Sequence, residues 1–183
     1  WAVYSAGAAI TSKAEQRNAV AAIGENFADR RVFHIWPPQV TAEIDGTNSN
    51  IEGFYLTSAV AGWISDNAPS QGLTNSSVVG FNGLKYSNNY FSESQLEIIA
   101  GGGTMIFEQF SSGGALKCRH QLSTDVSTDQ YKELSITKAL DYTAKFFRGA
   151  LTRQVGVFNI TQSYLDSLSV RVQGLGTYLV DAG

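Results

Sequence analysis

Apolar residues along the chain fall into short, distinct runs. Ser12-x-x-Glu15 has the pattern of a capping box, and Val20, Ile23 and Phe27 follow it at three-to-four spacing, which predicts a helix. "RVFHIW" (31–36) reads as a mostly buried strand, closed by Pro37 and Pro38. "TAEIDGTNSN" (41–50) reads as a turn-rich connection. Leu56, Val60, Trp63 and Ile64 then recur at helical spacing within 51–67, and "VVGFNGL" (78–84) is extended. A helix followed at once by a buried strand points to a layered arrangement of helices on a sheet.

The middle of the chain carries the sharpest local signals. Ser92 fits an N-cap, Gln95 the reciprocal N3 position and Phe91 a staple onto Leu96, while Gly101 fits a left-handed C-cap. "TMIFEQF" (104–110), the glycine-containing loop "SSGG" and "ALKCRHQLS" (115–123) predict a β-hairpin. Thr128 or Asp129 then caps a long helix through Arg148, with Ile136, Leu140, Phe147 and Leu151 on one face and Gly149 weakening its last turn. A second long helix, capped by Asn159 with Gln162 at N3, carries Leu165, Leu168, Val172, Leu175 and Leu179 in a coiled-coil-like seam, read as facing a core in preference to a true coiled coil. The fold class expected is therefore α+β: a mixed β-sheet with packed helices, including a β-hairpin followed by two long helices.

Composition narrows the function classes. Among 183 residues, 43% are apolar, so a core can be buried, and only 16% are charged. With 13 basic and 16 acidic side chains there is no basic stripe, which argues against nucleic acid as a partner. No apolar run is long enough for a membrane span. The single Cys118 excludes an internal disulfide and a multi-cysteine zinc site. The glycines of "IIAGGGT" follow a helix rather than precede one, the wrong order for a phosphate cradle.

Candidate chemistry is sparse. Cys118 and His120 share a face of a strand, but nothing nearby activates a thiol, and His34 sits in an apolar strand as a core histidine. Asp125 and Asp129 around "VST", and the oxygens of "EIDGTNSN", read as turn and cap residues rather than calcium ligands. The expectation is no catalytic residue, no cofactor and no metal. The basic residues of the second half, Lys117, Arg119, Lys138, Lys145, Arg148, Arg153 and Arg171, are equally consistent with a solvated surface and with a docking face for an acidic partner.

The order of these features resembles the tail sheath protein of contractile bacteriophages. The segments that carry the resemblance are "RVFHIWPP", "YLTSAVAGWISDNAPSQGLTN", "SESQLEIIAGGGTMIFEQFSSGGALKCRHQLSTD" and "NITQSYLDSLSVRVQGLGTYL". It implies a structural subunit that polymerises around an inner tail tube and contracts to drive that tube through the host envelope. The implied partners are other sheath subunits and the tube protein. The implied location is the virion, after synthesis in the host bacterial cytoplasm. Residues 1–75 are expected to be the end of an outer α/β domain, and 76–183 the inner domain, truncated at its end. Both ends read as cut, so the expected piece lacks the N-terminal region and the C-terminal arm that knit such lattices together, and is monomeric. Arg148, Arg153 and Arg171 are the implied charged contacts. The sheaths of tailocins and type VI secretion are similar. Two other classes compete: an α/β hydrolase using a serine, His120 and Asp125, without a GxSxG elbow, and a glycan-binding module around "KYSNNYF" (85–91).

Overall fold

The computed structural model describes residues 12–84, 90–111, 113–154, 156–157 and 159–181. The chain forms two compact units, residues 1–137 and 138–183. Its elements confirm an α+β fold, in the order α1 (Lys13–Phe27), β1 (His34–Trp36), β2 (Gln39–Ile44), β3 (Thr47–Glu52), α2 (Gly53–Asp66), β4 (Ser77–Val78), β5 (Gly83–Leu84), α3 (Glu93–Gly101), β6 (Thr104–Glu108), β7 (Leu116–Cys118), α4 (Asp129–Lys132), α5 (Leu134–Thr152) and α6 (Gln162–Asp181).

The first unit is built on a mixed four-stranded sheet in the order β1-β6-β7-β4. β1 runs parallel to β6, with Ile35 opposite Met105, while β7 is antiparallel to both β6 and β4. Alternate residues of β6 serve opposite layers, as the two-residue period of a strand requires. Met105 and Phe107 join Leu56 and Val60 of α2, Leu73, Leu116, Cys118 and Leu134 in one core. Ile106 points the other way and joins Trp36, Phe91, Leu96 and Ile99 beneath α1 and α3. This double burial explains why "RVFHIW" and "TMIF" lack polar alternation.

Helix ends follow the local chemistry. Ser12 Oγ accepts from the Glu15 N–H at 3.2 Å, and Glu15 Oε2 accepts from the Ser12 N–H at 3.3 Å, completing the predicted capping box. At α3 the Ser92 N–H donates to Gln95 Oε1 at 3.0 Å, and Phe91 and Leu96 share a core as the staple requires. The left-handed residue after α3 is Gly103 at φ +77°, not Gly101, which remains helical. The shift keeps β6 in line, because the Gly102–Gly103 backbone lies against α1. A Cβ on Gly24 would fall 2.0 Å from the Gly102 carbonyl oxygen, and one on Gly102 would meet Ala21 O at 2.6 Å.

Four further expectations are corrected. Residues 41–50 are not a loop. They form most of a β-hairpin, β2–β3, with Thr41 paired to Asn50 and Glu43 to Asn48. Asp45 (φ +51°) and Gly46 (φ +76°) both lie in the left-handed region that a type I′ turn demands. Its outer face is polar throughout, so the hydrophobic pattern hid it. The extended piece at 78–84 splits instead, Val78 joining the four-stranded sheet and Gly83 pairing with Thr41 in the three-stranded one, order β3-β2-β5. The long helix from residue 129 is broken at Glu133 (φ −93°, ψ 122°), and its second part passes through Gly149 to Thr152. The last helix starts at Gln162 with Thr161, not Asn159, as its cap: Thr161 Oγ1 accepts from the Tyr164 N–H at 3.3 Å.

The second unit packs differently. Phe146 of α5 stacks on Tyr178 of α6 at 5.8 Å, and the Tyr164 hydroxyl donates to Gln154 Oε1 at 3.2 Å, tying the two helices side by side and antiparallel. Leu168, Val172, Leu175 and Leu179 are half-buried as their spacing predicts, but Leu165 is exposed, and no described residue of this unit is fully buried.

The backbone contact between α1 and the α3–β6 turn generates a paired prediction. Gly24→Ala destabilises the protein by about 1–3 kcal/mol in urea unfolding, because backbone must move to admit one methyl group. Gly62→Ala, on α2 with nothing within 4 Å of the added atom, stabilises it by about 0.5–1 kcal/mol through helix propensity.

Candidate functional site

The polar side chains that sequence reasoning marked for possible catalysis are held in structural roles. β7 ends at Cys118, and the Arg119 N–H donates to Ile106 O at 2.9 Å, extending its pairing with β6 by one residue. Cys118 stays fully buried, and desolvation pushes its thiol up to about 12, so it is protonated at neutral pH. His120 lies beyond the strand end, with its Nε2 2.5 Å from Glu133 Oε1. Asp125 accepts instead from the N–H (3.1 Å) and hydroxyl (2.6 Å) of Ser127, in a closed local turn. The residues of the hydrolase reading are thus engaged separately. Asp129 pairs with Lys132 at 2.5 Å one turn along α4, and among the described residues no cluster of three or more His, Cys, Asp and Glu could hold a metal ion.

Glu133 is the centre of a well-connected polar node that no local sequence pattern marks. Its backbone forms a β-bridge with Leu122, with Leu134 N–H donating to Gln121 O (3.1 Å) and Ser123 N–H to Lys132 O (2.7 Å). Its second carboxylate oxygen accepts from Gln121 Nε2 at 2.9 Å, while Gln121 Oε1 accepts from the Leu73 N–H at 2.8 Å. Helical geometry at Glu133 would forfeit this bridge, which is why the helix breaks there. Nearby, Arg119 forms ion pairs with both Glu93 and Glu108 and so joins the start of α3 to the end of β6.

His34 lies on the opposite side of the sheet from the larger core. Its Nδ1 is 2.9 Å from Thr104 Oγ1, and burial lowers its pKa from 6.5 to about 4. The folded state therefore holds it neutral over a range in which the unfolded chain takes up a proton.

The three arginines implied as contacts occupy the second unit. Arg148 lies on α5, Arg153 just past its end and Arg171 on α6, all exposed. They fall within the stretches bracketed by the Phe146–Tyr178 and Gln154–Tyr164 ties. The same unit exposes large apolar side chains, including Ile160 (83%), Val170 (69%) and Tyr178 (61%). Of the stretch at 85–91, residues 85–89 lie outside the described residues. Tyr90 donates its hydroxyl to Gln16, and Phe91 is buried against Trp36, so these two rings tie α1 and α3 to the sheet. No helix is long and apolar enough to cross a membrane.

This architecture, a mixed sheet buried between helices with a hairpin leading into two long helices, is the fold of contractile-tail sheath proteins. The sheath tail protein of Desulfitobacterium hafniense superposes with a TM-score of 0.70 at 14% identity, over 94% of this chain and 44% of its own. The contracted helical sheath of the anti-feeding prophage gives 0.56 at 13% identity, over 90% of this chain and 52% of its own. The sheath tail protein of Listeria innocua gives 0.50 at 13% identity, over 74% and 34%. This chain thus spans about half the length, or less, of these sheath proteins. No protein-family model and no curated protein matches the sequence.

The buried histidine gives a signed pH dependence. Its contribution is fully present above pH 6.5 and is lost as pH falls toward 4, because the unfolded state binds the proton first; the span corresponds to at most about 3 kcal/mol. Urea unfolding of His34→Gln compared with the parent chain between pH 7 and pH 4 should show a shallower fall for the variant, and parallel profiles would contradict the assignment.

Proposed function

We propose that this chain is part of the subunit of a contractile tail sheath, which polymerises around an inner tube and shortens to drive it through an envelope. The observation that carries the reading is the fold: 94% of the chain superposes on a sheath tail protein with a TM-score of 0.70. A role that is mechanical rather than enzymatic agrees with the buried, protonated Cys118 and with the separate engagement of His120 and Asp125. The likeness to the anti-feeding prophage sheath supports a second reading within the same class, the sleeve of a related contractile machine such as a tailocin or a type VI secretion apparatus. Other copies of the subunit and the tube protein are the proposed partners. The proposed location is the tail of a virion or virion-like particle, assembled in the bacterial cytoplasm. The hairpin through Cys118 and helices α5 and α6, with Arg148, Arg153 and Arg171, are the proposed contact elements.

Antibodies raised against the chain should decorate the outer sleeve of tail particles from the source bacterium in immunogold electron microscopy, along extended and contracted tails alike. Label confined to the tube, the baseplate or particle-free material would overturn the reading. The isolated chain should sediment as a 19.7 kDa monomer at micromolar concentration. Lattice contacts of this kind are individually weak and gain strength by repetition.

A further inference from the structure

Charge is divided unevenly between two surfaces of this molecule. From residue 32 to residue 84 the sequence holds four acidic residues, Glu43, Asp45, Glu52 and Asp66, and no basic one. Three of these belong to the β2–β3 hairpin. The cross-strand pairs Gln39–Glu52, Thr41–Asn50 and Glu43–Asn48 form its outer face, opposite the buried Val40 and Ala42, and Asp45 sits at the tip. Glu43, Asp45 and Glu52 are exposed, and the exposed rings of Phe54 and Tyr55 stack on each other directly after the hairpin. The second unit has the opposite bias, with five basic residues against three acidic, while residues 1–137 carry eight basic against thirteen acidic. Among the described residues no ion pair involves Arg148, Arg153 or Arg171, nor Glu43 or Asp45.

From this division we infer that the exposed arginines of the second unit, Arg148, Arg153 and Arg171, dock on one copy against the acidic β2–β3 hairpin of a second copy. The inference rests on the sheath reading and names the partner of its arginine contacts. The physical argument concerns symmetry. Two copies meeting through the same patch on each would set like charge against like, either arginines on arginines or carboxylates on carboxylates. A contact between different patches sets opposite charges together, and in a head-to-tail arrangement it leaves one free patch of each sign, on which a further copy docks in a ring or an open array. Exposed ion pairs contribute little each, about 0.2–1 kcal/mol, so the charges chiefly choose partner and register. The exposed apolar side chains beside both patches (Phe54 and Tyr55 on one, Tyr178 and Val170 on the other) supply desolvated contact.

The test uses two surface variants of the chain, compared with the parent by sedimentation at several hundred micromolar. One is Arg148→Glu/Arg153→Glu/Arg171→Glu and the other Glu43→Lys/Asp45→Lys/Glu52→Lys. The parent should self-associate at about 20 mM salt and lose that association at about 500 mM, conditions whose screening lengths differ about fivefold. Each variant alone should associate at least tenfold more weakly, and an equimolar mixture of the two should recover parent-like association, since every contact is again between opposite charges. Melting curves verify that both variants are folded. A parent that does not associate at low salt, association indifferent to the substitutions, or a mixture no stronger than its components would each overturn the inference. None of these results bears on whether antibodies label the sleeve, so the docking inference and the sheath reading fail separately.

Discussion

Strand β6 is the constraint on which the first unit depends. Four of its five residues are buried, and they face two different layers: Met105 and Phe107 toward α2 and the larger core, Thr104 and Ile106 toward α1 and α3. A strand in this position must be apolar on both faces, and it must be delivered without slack, since a one-residue slip would exchange the two layers. The α3–β6 turn meets that demand through close backbone contact. Gly102 and Gly103 lie against Gly24, Ala21 and Thr124, where no Cβ fits. The positions of α1, α3 and the sheet are thereby fixed together.

The segment that follows β7 is secured by polar means. After β7 the chain has few apolar residues to bury, and the Glu133 node substitutes hydrogen bonds for packing. Gln121 bridges the Leu73 backbone to the Glu133 carboxylate, and Thr124 closes a reciprocal pair with the Asp29 backbone at 2.9 and 3.1 Å. Buried polar networks of this type specify one arrangement because each partner left unmatched is costly. Here the network sets where the chain enters α5, through Leu134, which returns to the core.

The two units contrast in their packing. The first contains two closed cores; the second is a pair of helices whose apolar seam is only half-buried and whose arginines face solvent.

The sequence by itself determined the elements whose signals are local and redundant. The Ser12 and Ser92 caps, the buried β1 and β6, the hairpin to β7 and the two long helices all follow from side-chain spacing and from hydrogen bonds made within a few residues. Its resemblance in order of motifs also reached the sheath fold; Arg148, Arg153 and Arg171, named from that resemblance, are exposed, and exposed positions leave no internal periodicity from which a role can be read. Three features were decided by the tertiary structure. The β2–β3 hairpin has a polar outer face, so its pairing shows only once Asp45 and Gly46 adopt their turn and β5 adds to Thr41. The break at Glu133 arises because a bridge to Leu122, eleven positions earlier, outweighs the helical preference of the residues around it. The left-handed turn falls on Gly103 rather than Gly101 because Thr124 and α1 leave room there for nothing larger. In each case the deciding contact lies outside the segment it shapes, beyond the reach of any local pattern.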